Sequence, residues 1–290
     1  MSAYRPPARR PVAFKPVDFE IMGVVNVTPD SFSDGGQFDD AAQAIAHGRR
    51  LAAEGAAILD VGGESTRPGA DPVPAGDEQA RVVPVVEGLR DVARVSIDTM
   101  KLDVAQAAVA AGAGYVNDVS AFRHDPELAG FVADRGLDCC LMHMLGEPRT
   151  MQRDPRYTDV VSEVKAFLEE RMAAAVAAGI REERISLDPG IGFGKTLEHN
   201  LELLARLDEL AALGRPLVIG TSRKTFIGRL TGRDVTERVH GTVATCVIAL
   251  ERGAQVFRVH DVAAVADALK VAAATFAAWP TKSPTSTTTS

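Results

Sequence analysis

Eight short apolar runs rich in β-branched residues recur along this chain, and helical segments separate them. The runs are EIMGVVNV, AAILDVGG, RVSIDT, GYVNDVS, DCCLMHM, RISLDPG, PLVIGTS and QVFRVHD. Between them, residues 41–54, 160–178, 200–213 and 237–252 take up a helical period rich in Ala, Leu and Glu. Strands that are apolar on both faces and alternate with helices pair in parallel. Eight such units in about 260 residues fit a single-domain (β/α)8 TIM barrel better than an open doubly wound sheet. No GxGxxG follows the first run, which weighs further against a dinucleotide-binding sheet.

A chain of 290 residues, 46% hydrophobic, can bury the large core that such a barrel needs. Its formal net charge of −7 argues against a nucleic-acid partner. No apolar stretch reaches the ~18 residues that a membrane helix needs. Cys139, Cys140 and Cys246 have no Cys-x-x-Cys spacing and read as buried, reduced core thiols. The head MSAYRPPARRPVAFKP lacks the apolar core of a secretion signal, and its prolines disfavour an amphipathic transit helix. The tail TKSPTSTTTS is Ser/Thr-rich and has no apolar content. The expected organisation is a flexible extension over 1–18, one barrel over 19–279 and a disordered tail over 280–290, in the cytoplasm.

TIM barrels do their chemistry at the carboxyl ends of their strands. Here those ends carry Asn26, Gly62-Gly63-Glu64, Asp98, Asn117-Asp118, Met142-His143, Asp188, Ser222-Arg223-Lys224 and Arg258-x-His260. A single strand-end Asp is more often a helix cap than a catalyst. Eight polar ends on one rim are hard to explain as eight separate caps, and the rim reads as an active site. The first strand ends in an unusually polar loop, NVTPDSFSDGG.

Arg258 and His260 stand two apart on the last strand and so share a face. A buried Arg needs an anion, either a ligand or an internal acid, and Asp261 is the one acid beside it in sequence. From residue 220 to 260 the cations Arg223, Lys224, Arg229, Arg233, Arg238, Arg252 and Arg258 outnumber Asp234, Glu237 and Glu251. That excess suggests an anionic ligand near strands seven and eight, with Ser222 before a helix start. Asp98, Asn117 and Asp188 together suit a flat heterocycle with an amino-amide edge, of guanine or pterin type. A metal-only reading of these three is unusual with a lysine nearby. No His-x-His or HExxH pair supports one, and no Ser-His-Asp or Cys-His context is present. His143 reads equally well as core packing.

With these residues assembled, the chain resembles the dihydropteroate synthase family of pterin-binding enzymes. The likeness runs from about residue 20 to 278 and rests on MGVVNVTPDSFSDGG, ILDVGGESTRPG, SIDT, VNDVS, LMHM, LDPGIGFGK, GTSRKTFIG and RVHD, in that order. It implies a reaction between 6-hydroxymethyl-7,8-dihydropterin diphosphate and 4-aminobenzoate, giving 7,8-dihydropteroate and pyrophosphate. Asp98, Asn117, Met142, Asp188 and Lys224 would hold the pterin. Asn26, Arg258 and His260 would take the diphosphate, with Mg2+ bound at Asn26. Phe32, Thr66, Arg67, Pro68, Phe193 and Ser222 would shape the aminobenzoate site. The implied catalytic set is Asp34, Arg67, Asp98, Lys224, Arg258 and His260, with the loop of Asp34 closing over the second substrate. The resemblance further implies sulfonamide sensitivity and a homodimer. The competing readings are a methyltetrahydrofolate methyltransferase of the same superfamily and a non-catalytic pterin-binding barrel. The former needs no diphosphate site, and the latter needs neither the loop residues nor Asn26.

Overall fold

The computed structural model describes residues 18–28, 37–66 and 69–278. The expected extension (1–18, apart from Asp18) and tail (280–290) lie outside those residues. So do Phe32, Asp34, Arg67 and Pro68.

Eight strands form one parallel sheet: β1 (Glu20–Asn26), β2 (Ile58–Gly62), β3 (Arg94–Asp98), β4 (Tyr115–Asp118), β5 (Asp138–Met142), β6 (Ile185–Asp188), β7 (Val218–Ile219) and β8 (Val256–Val259). Their order, β6-β5-β4-β3-β2-β1-β8-β7, follows the chain around a ring. A single bridge from Leu187 to Leu217 brings the two ends together. The expected (β/α)8 barrel is therefore the fold.

The helices outside it are α1 (Gln37–Ala53), α2 (Ala75–Leu89), α3 (Leu102–Ala111), α4 (Glu127–Arg135), α5 (Val160–Ala177), α6 (Leu197–Ala205), α7 (Leu207–Ala211), α8 (Thr225–Thr231), α9 (Val239–Glu251) and α10 (Val262–Ala277). Three differ from the sequence reading. The helix expected over 41–54 already begins at Gln37. The helix expected over 200–213 begins earlier, because Thr196 caps it by accepting from the His199 amide while His199 returns a bond to the Thr196 amide. It then breaks at Arg206, whose backbone leaves helical geometry (φ −116°, ψ 26°). The guanidinium there is held by Asp159, Glu202 and Glu209. The helix expected from 237 starts at Val239, because Val235–Glu237 winds as a separate 3-10 turn. Among the described residues no helix is long and apolar enough to cross a membrane.

Period-two alternation divides each strand between two environments. Outward residues such as Leu59, Val61, Ile97, Val116, Leu141 and Leu187 join the helices in one continuous apolar core. Inward residues build the barrel's interior, whose lower layer is apolar: Met22, Ile58, Tyr115, Cys140, Val218 and Val256. Above it the interior turns polar, with Asp60, Ser96, Asn117 and Ser186 all buried. All three cysteines are buried and free, as expected. The fold thus carries polar side chains up a dry shaft to the rim.

Candidate active site

Register fixes which strand ends meet. Asn26 pairs with Gly62, Gly62 with Asp98, and Asp98 with Asn117. Further round, Met142 pairs with Asp188. Two of the three residues read as heterocycle holders therefore sit side by side at one level of the rim. The third, Asp188, stands two strands on from Asn117.

Arg258 lies at the centre of a buried network. Its Nε donates to Asp60 Oδ2 at 2.6 Å, and its Nη2 donates to Asp98 Oδ2 at 2.6 Å. Asp60, wholly buried, also accepts from Ser96 Oγ at 2.6 Å and from Asn117 Nδ2 at 3.0 Å. One guanidinium thus orders both members of the Asp98–Asn117 pair, the second through Asp60. Burial pushes the Asp98 carboxyl up, against the opposing pull of Arg258. Burial likewise raises Asp188, and the Gly190 amide on its Oδ1 (2.7 Å) and the charge of Lys224 oppose it.

This network corrects one expectation. The sequence points Arg258 at an anionic ligand, for want of an internal acid other than Asp261, whereas the structure already pairs it internally with Asp60 and Asp98, from β2 and β3. Asp261 instead takes Arg223 in a two-pronged bond, at 2.6 and 3.0 Å. Nor is the basic excess over 220–260 all aimed at a ligand. Arg233 pairs with Glu237 and Arg252 with Asp208, while Arg238 donates to the carbonyls of Arg223 and Arg233. Local acids and carbonyls account for most of that positive charge.

On the far side of the mouth, Ser222 Oγ accepts from the His260 amide at 3.1 Å and lies 3.0 Å from His260 Nδ1. Ser222 and His260, read from separate motifs, thus form one corner. Lys224 sets its Nζ 4.1 Å from the centroid of the Phe193 ring, a cation–π contact. Met142 is buried with Val119, Met144 and Met151, and Phe193 packs on that cluster. Thr66, Asp98 and Met100 line a small cavity with Glu64, Glu78, Thr99 and Lys101. His143, left open by the sequence, is buried beside Lys195, and burial together with that charge lowers it to about 2.

Three features escaped the sequence reading. Asp60 did carry a signal, an acid between apolar neighbours of a buried strand. Lys101 gave none. It bonds Glu64 and Glu78, and donates to the Val73 carbonyl at 2.6 Å, tying the segment after Thr66 to α2 and the start of α3. Lys195, 3% exposed, gave none either, since lysine after a glycine-rich turn is normally solvated.

A closed parallel barrel with acids, amides and cations converging at its carboxyl rim defines a TIM-barrel enzyme site for a polar, partly anionic ligand. A family model described as pterin binding enzyme matches residues 22–260. The dihydropteroate synthase of Neisseria meningitidis serogroup B is 52% identical over 264 residues, covering 87% of this chain and 91% of that one. The Xanthomonas albilineans dihydropteroate synthase solved with 4-aminobenzoic acid superposes with a TM-score of 0.85 at 52% identity, covering 91% and 94% of the two chains. The Yersinia pestis dihydropteroate synthase in a sulfonamide drug complex also gives 0.85, at 43% identity, covering 92% and 98%. The chain belongs to the pterin-binding enzymes and, among them, to the dihydropteroate synthase family.

Proposed function

We propose that this chain joins 6-hydroxymethyl-7,8-dihydropterin diphosphate to 4-aminobenzoate, forming 7,8-dihydropteroate and pyrophosphate. The observation that carries the reading is the Arg258–Asp60–Asn117 and Arg258–Asp98 network, which presents fixed donors and acceptors at the mouth beside a cation. Asp98, Asn117 and Asp188 receive the amino-amide edge of the pterin, with Met142 and Lys224 against its ring. Arg258, His260 and Asn26 face the diphosphate. Thr66, Phe193 and Ser222 border the aminobenzoate, along with Phe32, Arg67 and Pro68.

An arylamine is neutral at pH 7 and attacks without a strong base, so the difficult step is departure of diphosphate. The bond from the pterin methylene to the diphosphate oxygen breaks with its electrons leaving on that oxygen, where Arg258 and His260 offset the growing charge. The amine nitrogen bonds the methylene from the opposite side and then releases one proton. Asp188 and Asp98 hold the ring that shares the positive charge left behind.

Mg2+ fits the same site by its donor chemistry. Asn26 ends β1 with a hard carbonyl oxygen. Among the described residues no group of three or more His, Cys, Asp or Glu is placed to hold a metal. Mg2+ keeps several waters and is usually bound through one or two carboxylates plus substrate phosphates. Here Asn26 would give one neutral oxygen, and phosphate and water would give the rest. Bound there, it would supply charge neutralisation at the departing phosphate. Cytoplasmic location and a homodimer belong to the same reading.

The test is pyrophosphate release by the purified protein, given both substrates, with and without Mg2+. Release that requires both substrates is the expected result. Binding of the pterin without release would favour a non-catalytic barrel, and methyl transfer from methyltetrahydrofolate would favour the methyltransferase.

A further inference from the structure

Three consecutive carbonyls in the segment after β6 are each held by a side chain. Gln152 Nε2 donates to Gly192 O at 2.6 Å, Lys195 Nζ to Phe193 O at 3.0 Å, and the Tyr157 hydroxyl to Gly194 O at 2.8 Å. On the amide side, Asn200 Oδ1 accepts from Gly192 N at 2.6 Å, and Gly190 O accepts from Phe193 N at 3.0 Å. Glycines 190, 192 and 194 hold φ of +66°, +83° and +63°, a left-handed region that glycine enters without strain. A Cβ at Gly190 would run into the His143 carbonyl oxygen. The segment is thus pressed onto the loop that follows β5, and that loop supplies Gln152 and Tyr157.

So many fixings converge on one large side chain, the Phe193 ring. The ring is half-buried at the mouth, with Val119, Met142, Met144 and Met151 beneath it and Lys224 over its face. Lys195 is the costly member of the set. An ammonium group is expensive to bury, yet Lys195 reaches inward to the Phe193 carbonyl and takes His143 Nδ1 as a second partner at 2.9 Å. His143 is in turn held edge-on by Phe167 at 4.8 Å and leans on Tyr157 at 6.1 Å. A lysine needed only to precede α6 could have stayed in water.

We propose that Lys195, with Tyr157 and Gln152, is a positioning residue for the Phe193 ring. Through it these three fix the wall against which the aryl amine lies, and so set the enzyme's grip on a flat aromatic second substrate. This rests on the reading of Phe193 as part of the aminobenzoate site. Tyr157 and Gln152 act through Phe193 alone, whereas the Lys195 charge also bears on Asp188.

The experiment compares the full-length protein with Lys195→Met and Tyr157→Phe, the latter removing one hydroxyl and keeping the ring. Amide exchange is followed over residues 190–195, with β2 and β3 as the internal record of global folding. Exchange in that segment should quicken in both variants while β2 and β3 stay protected. The KM for 4-aminobenzoate should rise about tenfold in Lys195→Met, which removes two hydrogen bonds, and about threefold in Tyr157→Phe, which removes one. Affinity for a pterin ligand, by calorimetry, should change less than about twofold in Tyr157→Phe, which leaves every proposed pterin contact and the charge near Asp188 in place. Unchanged exchange in both variants overturns the grip. Faster exchange with an unmoved KM, or equal losses for both substrates in Tyr157→Phe, overturns the positioning role. If the wild type itself releases no pyrophosphate, the synthase reading fails, and the exchange result still decides whether the grip exists.

Discussion

Asp60 on β2 and Arg258 on β8 stand 198 residues apart in the chain, yet a 2.6 Å hydrogen bond joins them inside the barrel. Asp60 is wholly buried, so its charge is tolerated only because Arg258, Ser96 and Asn117 all donate to it. The pair lies directly beneath the groups proposed to receive the pterin.

Asp60→Asn should therefore be felt in stability and in pterin binding together. The substitution removes a buried charge facing a guanidinium and sets an amide N–H towards one of three donors. A cost of about 2–4 kcal/mol is expected, near that of breaking a buried pair. Denaturant melts measure the first effect and calorimetry with a pterin ligand the second. An unshifted melt would mean that Asp98 alone suffices for Arg258.

For Arg258 itself the informative change is to lysine. Alanine would leave Asp60 and Asp98 facing each other uncompensated, so lost folding would be mixed with lost catalysis. Lysine keeps a cation but cannot reach two acids with separate nitrogens. Arg258→Lys should fold and lose roughly 10²–10³ in kcat, comparable to removal of one donor from an oxyanion site. Steady-state kinetics beside a thermal melt checks this, and near-normal turnover would remove Arg258 from the diphosphate step.

Lys195 should give the protein a pH-dependent stability. Burial lowers its ammonium from the usual lysine range to about 7. The unfolded chain thus binds a proton between about pH 7 and 10.5 that the folded chain does not, and stability from this group rises with pH across that window. It is fully present above the unfolded value and is lost as pH falls towards 7. Relative to Lys195→Met, the wild type should gain on the order of 2 kcal/mol between pH 7 and 9. Parallel melts of the two proteins would reveal it, and curves that keep a constant separation would contradict it.

Sulfonamides should compete with 4-aminobenzoate, since both present an aniline ring with an acidic group opposite the amine. They differ in bulk beyond that group. Phe32 and Pro68, both apolar and both proposed for the aminobenzoate site, would then act on shape rather than charge. Phe32→Leu or Pro68→Ser should raise the inhibition constant more than the KM of the substrate. If the ratio of the two constants is the same in wild type and both variants, these residues merely stiffen their loops.

How far the site could be read from the sequence depended on whether a property is local to one strand. Alternation and strand ends are local, so the eight strands and the rim residues Asp98, Asn117, Asp188 and His260 stood out from their own neighbours. Partnership is not local. Nothing beside Arg258 in sequence announces Asp60 and Asp98 as its partners, because a ring closes only in three dimensions, bringing β8 next to β1 and within reach of β2 and β3. The break at Arg206 had no glycine or proline to announce it, and the Asp159 that helps hold its guanidinium lies 47 residues away. Lys195 was invisible for a kindred reason, since burial of a lysine depends on what the rest of the chain packs over it.

The barrel also has a seam. Most neighbouring strands share four or five register pairs, yet β6 and β7 meet through the lone Leu187–Leu217 bridge, and β7 holds β8 by only two pairs. Where backbone bonds are fewest, a structure parts most readily. Asp188 ends the strand on one side of that seam, and Ser222 and Lys224 follow the strand on the other. Among the described strands, the joint with the fewest backbone pairs therefore runs between the acid and the lysine proposed to hold the same ring. A ligand gripping both would act as the missing stitch, tightening the barrel where the chain itself ties it least.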